Sequence, residues 1–226
     1  GNLVGDFGGG STYLVIGILA ALLEARSSGQ GQVVDAAIVD GTAHLNAMAT
    51  GFLAGGLYRE ERAANLLDGG APFYDLYETA DGRHLAVGAL EPQFYDELVR
   101  LLGIAEAAPD RNDPTRHDEL RTVIADAVAS RTQAEWVAVF DGSEACVAPV
   151  IPLSEAFTHP HLAARGTFVD RDGITQPAPA PRFSRTVATL TSPPPARAGQ
   201  DTREALVAWG IADVEGLLGS GAAVQV

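Results

Sequence analysis

Six residues into the chain an acid is followed closely by three consecutive glycines, and behind them comes a long apolar run: Gly5-Asp6-Phe7-Gly8-Gly9-Gly10-Ser11, then Tyr13 to Leu23. The segment STYLVIGILAALLEARSSG reads as one buried helix, with Ser11 at its N-cap, a polar last turn at Glu24 and Arg26, and Gly29 as its stop. Glycines ahead of such a helix leave backbone N–H groups free at the positive end of its dipole. An anion, or an oxyanion forming beside the Asp6 carboxylate, would fit there. A plain glycine turn with Asp6 as the helix cap satisfies the same residues, so the heptapeptide alone leaves both readings open. Its spacing matches neither a dinucleotide fingerprint nor a phosphate-binding P-loop.

The next segment, GQVVDAAIVDG, lies between Gly31 and Gly41. Its first half reads as a buried strand, and its second half enters a helix running through Met48. Residues 56–72, with charges at Arg59 to Arg62 and the pair Gly69-Gly70, read as a linker or lid. Phe73 to Glu78 and His84 to Ala89 are two strands joined by Thr79-Ala80-Asp81-Gly82, where Asp-Gly supplies hairpin chemistry. Glu91-Pro92 opens a helix whose apolar positions are Phe94, Leu98, Leu101 and Leu102. Two more helices are predicted, around Glu119 to Ser130 and Gln133 to Phe140, followed by a short strand from Cys146 to Val150. From Thr158 onward the chain reads as an irregular crossing. Ser192 to Ala198 reads as a polyproline-like connector, and Asp201 to Trp209 as a final amphipathic helix stopped by Gly210. The expected fold class is α/β. The expected division is 1–55 (large α/β domain), 56–72 (linker), 73–150 (small α+β domain) and 151–226 (return linker and C-terminal helix).

Composition narrows the function classes. The 226 residues are 46% hydrophobic and 19% charged, enough apolar material for a sizeable core. A net charge of −14, without any Lys/Arg run, argues against nucleic acid as partner. The one cysteine, Cys146, cannot form an intramolecular disulfide, which suits a reducing cytoplasm, and it reads as a small buried apolar residue. The apolar stretch Tyr13 to Leu23 is too short to span a bilayer, so no membrane segment is expected. The sequence opens Gly-Asn-Leu without an initiator Met, which implies a processed start or a missing upstream part.

Glu91 stands where a strand meets a helix, as pocket-rim acids do, and equally where a helix dipole favours any acid. Of His44, His84, His117, His159 and His161, only the pair His159-Pro-His161 lies close together, and no metal site is expected. No Gly-x-Ser-x-Gly nucleophile elbow is present.

Taken together, GDFGGGS, SSGQGQVVDAAIVDG, LLDGGAPFYDLYETADGRHLAVGALEPQFY, PAPRFSR and GQDTREALVAWG resemble the class III CoA-transferase family, and within it the racemase branch. The resemblance runs from Gly1 to about Gly210. It implies a Rossmann-like large domain, of which this chain would carry the C-terminal part, a small domain inserted by two linkers, and an interlocked homodimer. It implies an acyl-CoA substrate, with coenzyme A as part of the thioester and no prosthetic group. Carried over by position, Asp6 aligns with the family's catalytic aspartate and Glu91 with an acid orienting a catalytic histidine. That histidine belongs to a Gly-His-Asp type segment upstream, which has no match here. Gly8, Gly9 and Gly10 fall where the thioester is held, and Leu67, Tyr74 and Leu90 where the acyl chain lies, although Tyr74 and Leu90 would serve equally as small-domain core. The implied reaction is racemisation at the α-carbon through an enolate. A CoA-transferase using Asp6 as nucleophile, and a non-catalytic scaffold, are the alternatives.

Overall fold

The computed structural model describes residues 2–190 and 195–226, so part of the expected polyproline connector, Ser192 to Pro194, lies outside the described residues. The chain divides into two compact units, Gly1–Val150 and Ile151–Val226. Helix and sheet are mixed as expected, and the described sheets are open and antiparallel.

The first unit opens with helix α1, Leu3–Ser28, wound as a π-helix over Leu3–Thr12 and as an α-helix over Tyr13–Ser28. Ser11 is therefore inside the helix and not its cap. Three glycines tolerate the wider winding, and Gly29 closes the helix in the left-handed conformation at φ 77°. None of the residues Tyr13–Ser28 is buried, which corrects the expectation of a buried helix. With 26 residues and an 18-residue stretch of mean hydropathy 1.5, α1 is long and apolar enough to cross a membrane by length and composition, so the length argument against a membrane segment does not hold.

Residues 30–37 form no strand, although they were expected to. Val and Ile favour extended backbone, but a strand needs a ladder partner, and none of the described strands pairs with this segment. The expected helix follows as two pieces, α2 (Ile38–Leu45) and α3 (Ala47–Ala54), broken at Asn46.

Strands β1 (Tyr74–Glu78) and β2 (His84–Gly88) form the predicted hairpin, and β3 (Val147–Val150) joins β2 antiparallel. The turn works as its residues demand: Gly82 sits at φ 72°, and the Thr79 hydroxyl donates to Asp81 Oδ1 at 2.6 Å. Asp81 Oδ1 also accepts the Gln133 N–H at 3.1 Å, tying the turn to α6 (Gln133–Phe140). The buried Gln133 amide then donates to the carbonyls of His84 at 2.6 Å and Val150 at 3.0 Å, closing that end of the sheet. Helices α4 (Pro92–Leu102) and α5 (His117–Val128) cover the same face. The core is Leu85 and Val87 from β2, Leu98 from α4, Leu120, Ile124 and Val128 at i, i+4 spacing on α5, and Trp136 and Phe140 from α6.

The Thr79 hydroxyl and the Gln133 N–H hold the Asp81 carboxyl below its ordinary value. A carboxyl with a depressed folded value adds stability that is present above the unfolded value, near ~4, and is lost as pH falls through the folded value. Urea midpoints measured from pH 7 downward should therefore fall below about pH 4. The deficit of Asp81→Asn should vanish at the acid end.

The second unit holds α7 (Leu153–Ala156), α8 (Pro160–Ala164), the hairpin of β4 (Phe168–Arg171) and β5 (Ile174–Pro177), and helices α9 (Thr202–Ala208) and α10 (Val214–Gly219). The irregular crossing expected from Thr158 is thus partly ordered. Asp172-Gly173 turns β4 into β5 with both residues at positive φ, a tight two-residue turn unlike the longer loop of the first hairpin, where only Gly82 has positive φ. Helix α9 is as expected except that Asp201 makes no side-chain cap and α10 follows it, capped by Asp213 through the Gly216 N–H at 2.8 Å.

Candidate functional site

Asp6 lies in the first turn of α1, exposed, and makes no hydrogen bond or ion pair among the described residues. A first-turn position is one where the helix dipole favours negative charge. The three glycines lie inside the helix, so their N–H groups belong to its ladder and are not left free as a turn would leave them.

The glycines have a packing role. Helix α2 crosses α1 so closely that a Cβ on Gly9 would stand 2.5 Å from Thr42 Oγ1, one on Gly10 2.9 Å from Ile38 Cγ1, and one on Gly41 1.9 Å from the Gly9 carbonyl oxygen. Gly9 and Gly10 are buried at this crossing and Gly8 is partly exposed. Tyr13 and His44 tie the same pair of helices through a 2.5 Å hydrogen bond between the Tyr13 hydroxyl and His44 Nδ1. Gly41→Ala should force α2 away from α1 and cost about 1–3 kcal/mol, the usual range for overpacking. Chemical denaturation of the variant against the parent chain checks this.

Glu91 is the exposed N-cap residue of α4, and its side chain makes no cap bond. Its carbonyl accepts the Phe94 and Tyr95 N–H groups at 3.1 and 3.0 Å. No hydrogen bond or ion pair joins Asp6 to Glu91 among the described residues. Cys146 is exposed, which corrects the expectation of a buried thiol. Its backbone is left-handed at φ 53°, breaking the in–out alternation just before β3. Partial desolvation, then the charges of Glu91 and Glu144, push its thiol above the ordinary value.

A groove of about 550 Å³ is lined by Leu67, Tyr74, Leu76, Ala86, Gly88 and Cys146, among others. Two of the three residues expected around an acyl chain, Leu67 and Tyr74, meet there. Leu90 lies outside this lining and packs, half-buried, against the core. On its other side Leu67 also lines a cavity of about 300 Å³ with Met48, Phe52, Leu57, Tyr58 and Leu66.

The loop carrying Leu67 is stitched in place. The Asn65 side chain accepts the Arg59 N–H at 2.8 Å and donates to the Arg59 carbonyl at 2.9 Å and Asp68 Oδ2 at 2.7 Å. These bonds from Asn65 hold the Asp68 carboxyl below its ordinary value. Arg121 of α5 pairs with Asp75 and donates to the Gly69 carbonyl at 2.7 Å, fixing the loop to the sheet. Sequence reasoning missed Arg121 and Asp75. Their separation of 46 positions gives no local signal. No group of three or more His, Cys, Asp or Glu side chains arranged to hold a metal occurs among the described residues.

The first unit thus carries an exposed acid in the first turn of a glycine-packed helix and a three-stranded sheet bearing an apolar groove. CoA-transferase family III matches residues 1–202, and the chain belongs to that family. Over 216 residues it is 42% identical to the alpha-methylacyl-CoA racemase of Mus musculus and 39% to that of Homo sapiens, covering 95% of this chain. The chain spans 57% and 56% of the length of those two relatives. The fold is similar to the crystal structure of a CaiB/BaiF family protein from Brucella suis, with a TM-score of 0.61 at 24% identity, covering 81% of this chain and 50% of that one.

Proposed function

We propose that the chain carries one proton-transferring half of an acyl-CoA racemase, with Asp6 as the group that moves the proton. The observation that carries this reading is an exposed carboxylate in the first turn of α1, without a hydrogen bond or ion pair among the described residues, in a sequence whose match to racemases covers 95% of its length. The substrate class is a 2-methylacyl-CoA thioester, coenzyme A entering as part of the substrate and no prosthetic group taking part.

Asp6 takes the α-proton, and the C–H electron pair moves into the thioester carbonyl to give a planar enolate. Backbone N–H groups near Asp6 donate to the oxygen as its charge grows. A preorganised donor of this kind contributes roughly 3 kcal/mol where it has been removed and measured. Inversion needs a proton delivered to the opposite face, so one carboxylate is not enough. The second group is the histidine that the resemblance places upstream, oriented by Glu91. The acyl chain lies along the groove of Leu67 and Tyr74. We also propose a cytoplasmic homodimer, the compartment on the strength of the single cysteine.

The family's name favours a second reading, in which Asp6 attacks the thioester to give an acyl-aspartyl anhydride and free CoA thiolate, the acyl group leaves as its carboxylate, and CoA passes to another carboxylic acid. Full-length enzyme incubated in deuterated water with one stereoisomer of a 2-methylacyl-CoA separates the two. Deuterium at the α-carbon with loss of stereochemical purity is the expected result. CoA passage to a free carboxylate without exchange would sink the racemase reading.

A further inference from the structure

We infer that Arg111 is a positioning residue that fixes the corner Ala89-Leu90-Glu91, and with it the direction of the Glu91 carboxylate. The inference rests on the reading of Glu91 as the acid that orients the proton-transferring partner.

Strand β2 ends at Gly88 and α4 begins at Pro92, so the corner between them has no ladder to hold it. The Ala89 N–H is held by the Phe73 carbonyl at 2.9 Å, but the carbonyls of Ala89 and Leu90 accept no loop or cap backbone N–H among the described residues. Arg111 supplies both missing donors: Nη1 donates to Ala89 O at 3.3 Å and Nη2 to Leu90 O. Two consecutive carbonyls bound by one planar fork define the orientation of the peptide between them. The next residue is Glu91.

The guanidinium is itself held. It lies 4.3 Å from the Phe73 ring centre and 4.7 Å from that of Tyr95, two rings set edge to face at 5.9 Å. Tyr95 belongs to the first turn of α4 and its N–H caps onto the Glu91 carbonyl, so the box that grips Arg111 is built partly from the helix that Glu91 begins. His117 bonds the Arg111 carbonyl through Nε2 at 2.9 Å and packs edge-on against Phe73. Strand end, helix start and α5 thus meet on one cation. A lysine would keep the charge in the aromatic box but cannot reproduce the fork.

The test is a double-mutant cycle in the full-length enzyme, with Arg111→Lys and Glu91→Gln singly and together, following turnover and KM for a 2-methylacyl-CoA. Arg111→Lys is expected to lower kcat about 10-fold, as modest misplacement of a working group does, with KM within about twofold. The double variant should be no slower than Glu91→Gln alone, because the corner matters only through that carboxylate. Arg111→Ala should lose more and regain part of its rate with added guanidinium chloride at concentrations that leave the fold intact. Should Arg111→Ala fail to fold, Arg111→Lys decides alone. A folded Arg111→Lys with unchanged kcat, or effects of Arg111→Lys and Glu91→Gln that multiply, would overturn the inference. Unchanged kcat in Glu91→Gln locates the failure in the reading of Glu91, and the inference falls with it.

Discussion

Replacing Asp6 by Asn in the full-length enzyme is expected to cut α-proton exchange and racemisation by about 10²- to 10⁴-fold, the usual contribution of a positioned acid or base. Affinity for the CoA thioester should stay within about twofold, since the amide keeps the shape of the carboxylate and only the proton-carrying capacity is removed. The fold gives little reason for a side effect. Asp6 is exposed and bonds to nothing among the described residues, so its loss leaves no buried partner unpaired. A first-turn acid does interact favourably with the helix dipole, worth about 0.3–1 kcal/mol at an exposed site, which would lower the melting temperature slightly without touching turnover. Steady-state kinetics with both stereoisomers, beside a thermal melt, separate these roles. Equal losses of binding and turnover would return Asp6 to a capping role.

The second large effect concerns stability. Trp136→Ala is expected to destabilise the first unit by about 3–5 kcal/mol, the range for truncating a large buried aromatic. Trp136 is 1% exposed. Its indole N–H donates to the Val128 carbonyl at 2.8 Å, its ring meets Phe140 at 5.7 Å, and Arg131 lies 4.8 Å above its face. Removing it opens a cavity, leaves the carbonyl at the end of α5 with only the long Arg131 N–H bond at 3.5 Å, and strips the hydrophobic centre from α6. Against a typical total stability of about 5–15 kcal/mol, that is enough to unfold a marginal domain. Urea denaturation followed by far-UV circular dichroism measures it, Trp136→Phe being expected to recover more than half of the loss.

The stretch from β1 to β3 was legible in the sequence because its signals are local. Asp81-Gly82 sets a turn whose flanking residues alternate, Glu91-Pro92 opens a helix, and Thr132 with Glu135 closes a capping box on α6. The N-terminal segment was misread where its structure depends on what packs against it. Three glycines suggested a turn, but glycine also permits close helix crossing, and only the position of Gly41 opposite Gly9 decides between the two. Val33 and Val34 favour strand, yet a strand exists only with a partner. The Asp172-Gly173 hairpin was overlooked because its strands are only four residues each, too short for alternation to register. Of the site, Asp6 and Glu91 were singled out from their local sequence and given roles by resemblance, while Leu67 and Tyr74 were placed by resemblance. Arg111 and Arg121 were not, because cation stacking and long-range ion pairs leave no mark on sequence spacing.

The account turns on where the Asp6 carboxylate lies when a thioester is bound. A crystal structure of the full-length enzyme with a slowly turned-over 2-methylacyl-CoA analogue measures this. The account predicts a carboxylate oxygen within roughly 3–3.5 Å of the α-carbon, with the thioester oxygen facing backbone N–H groups near Asp6. A bound acyl group in the groove with the Asp6 side chain directed away from it would contradict the account.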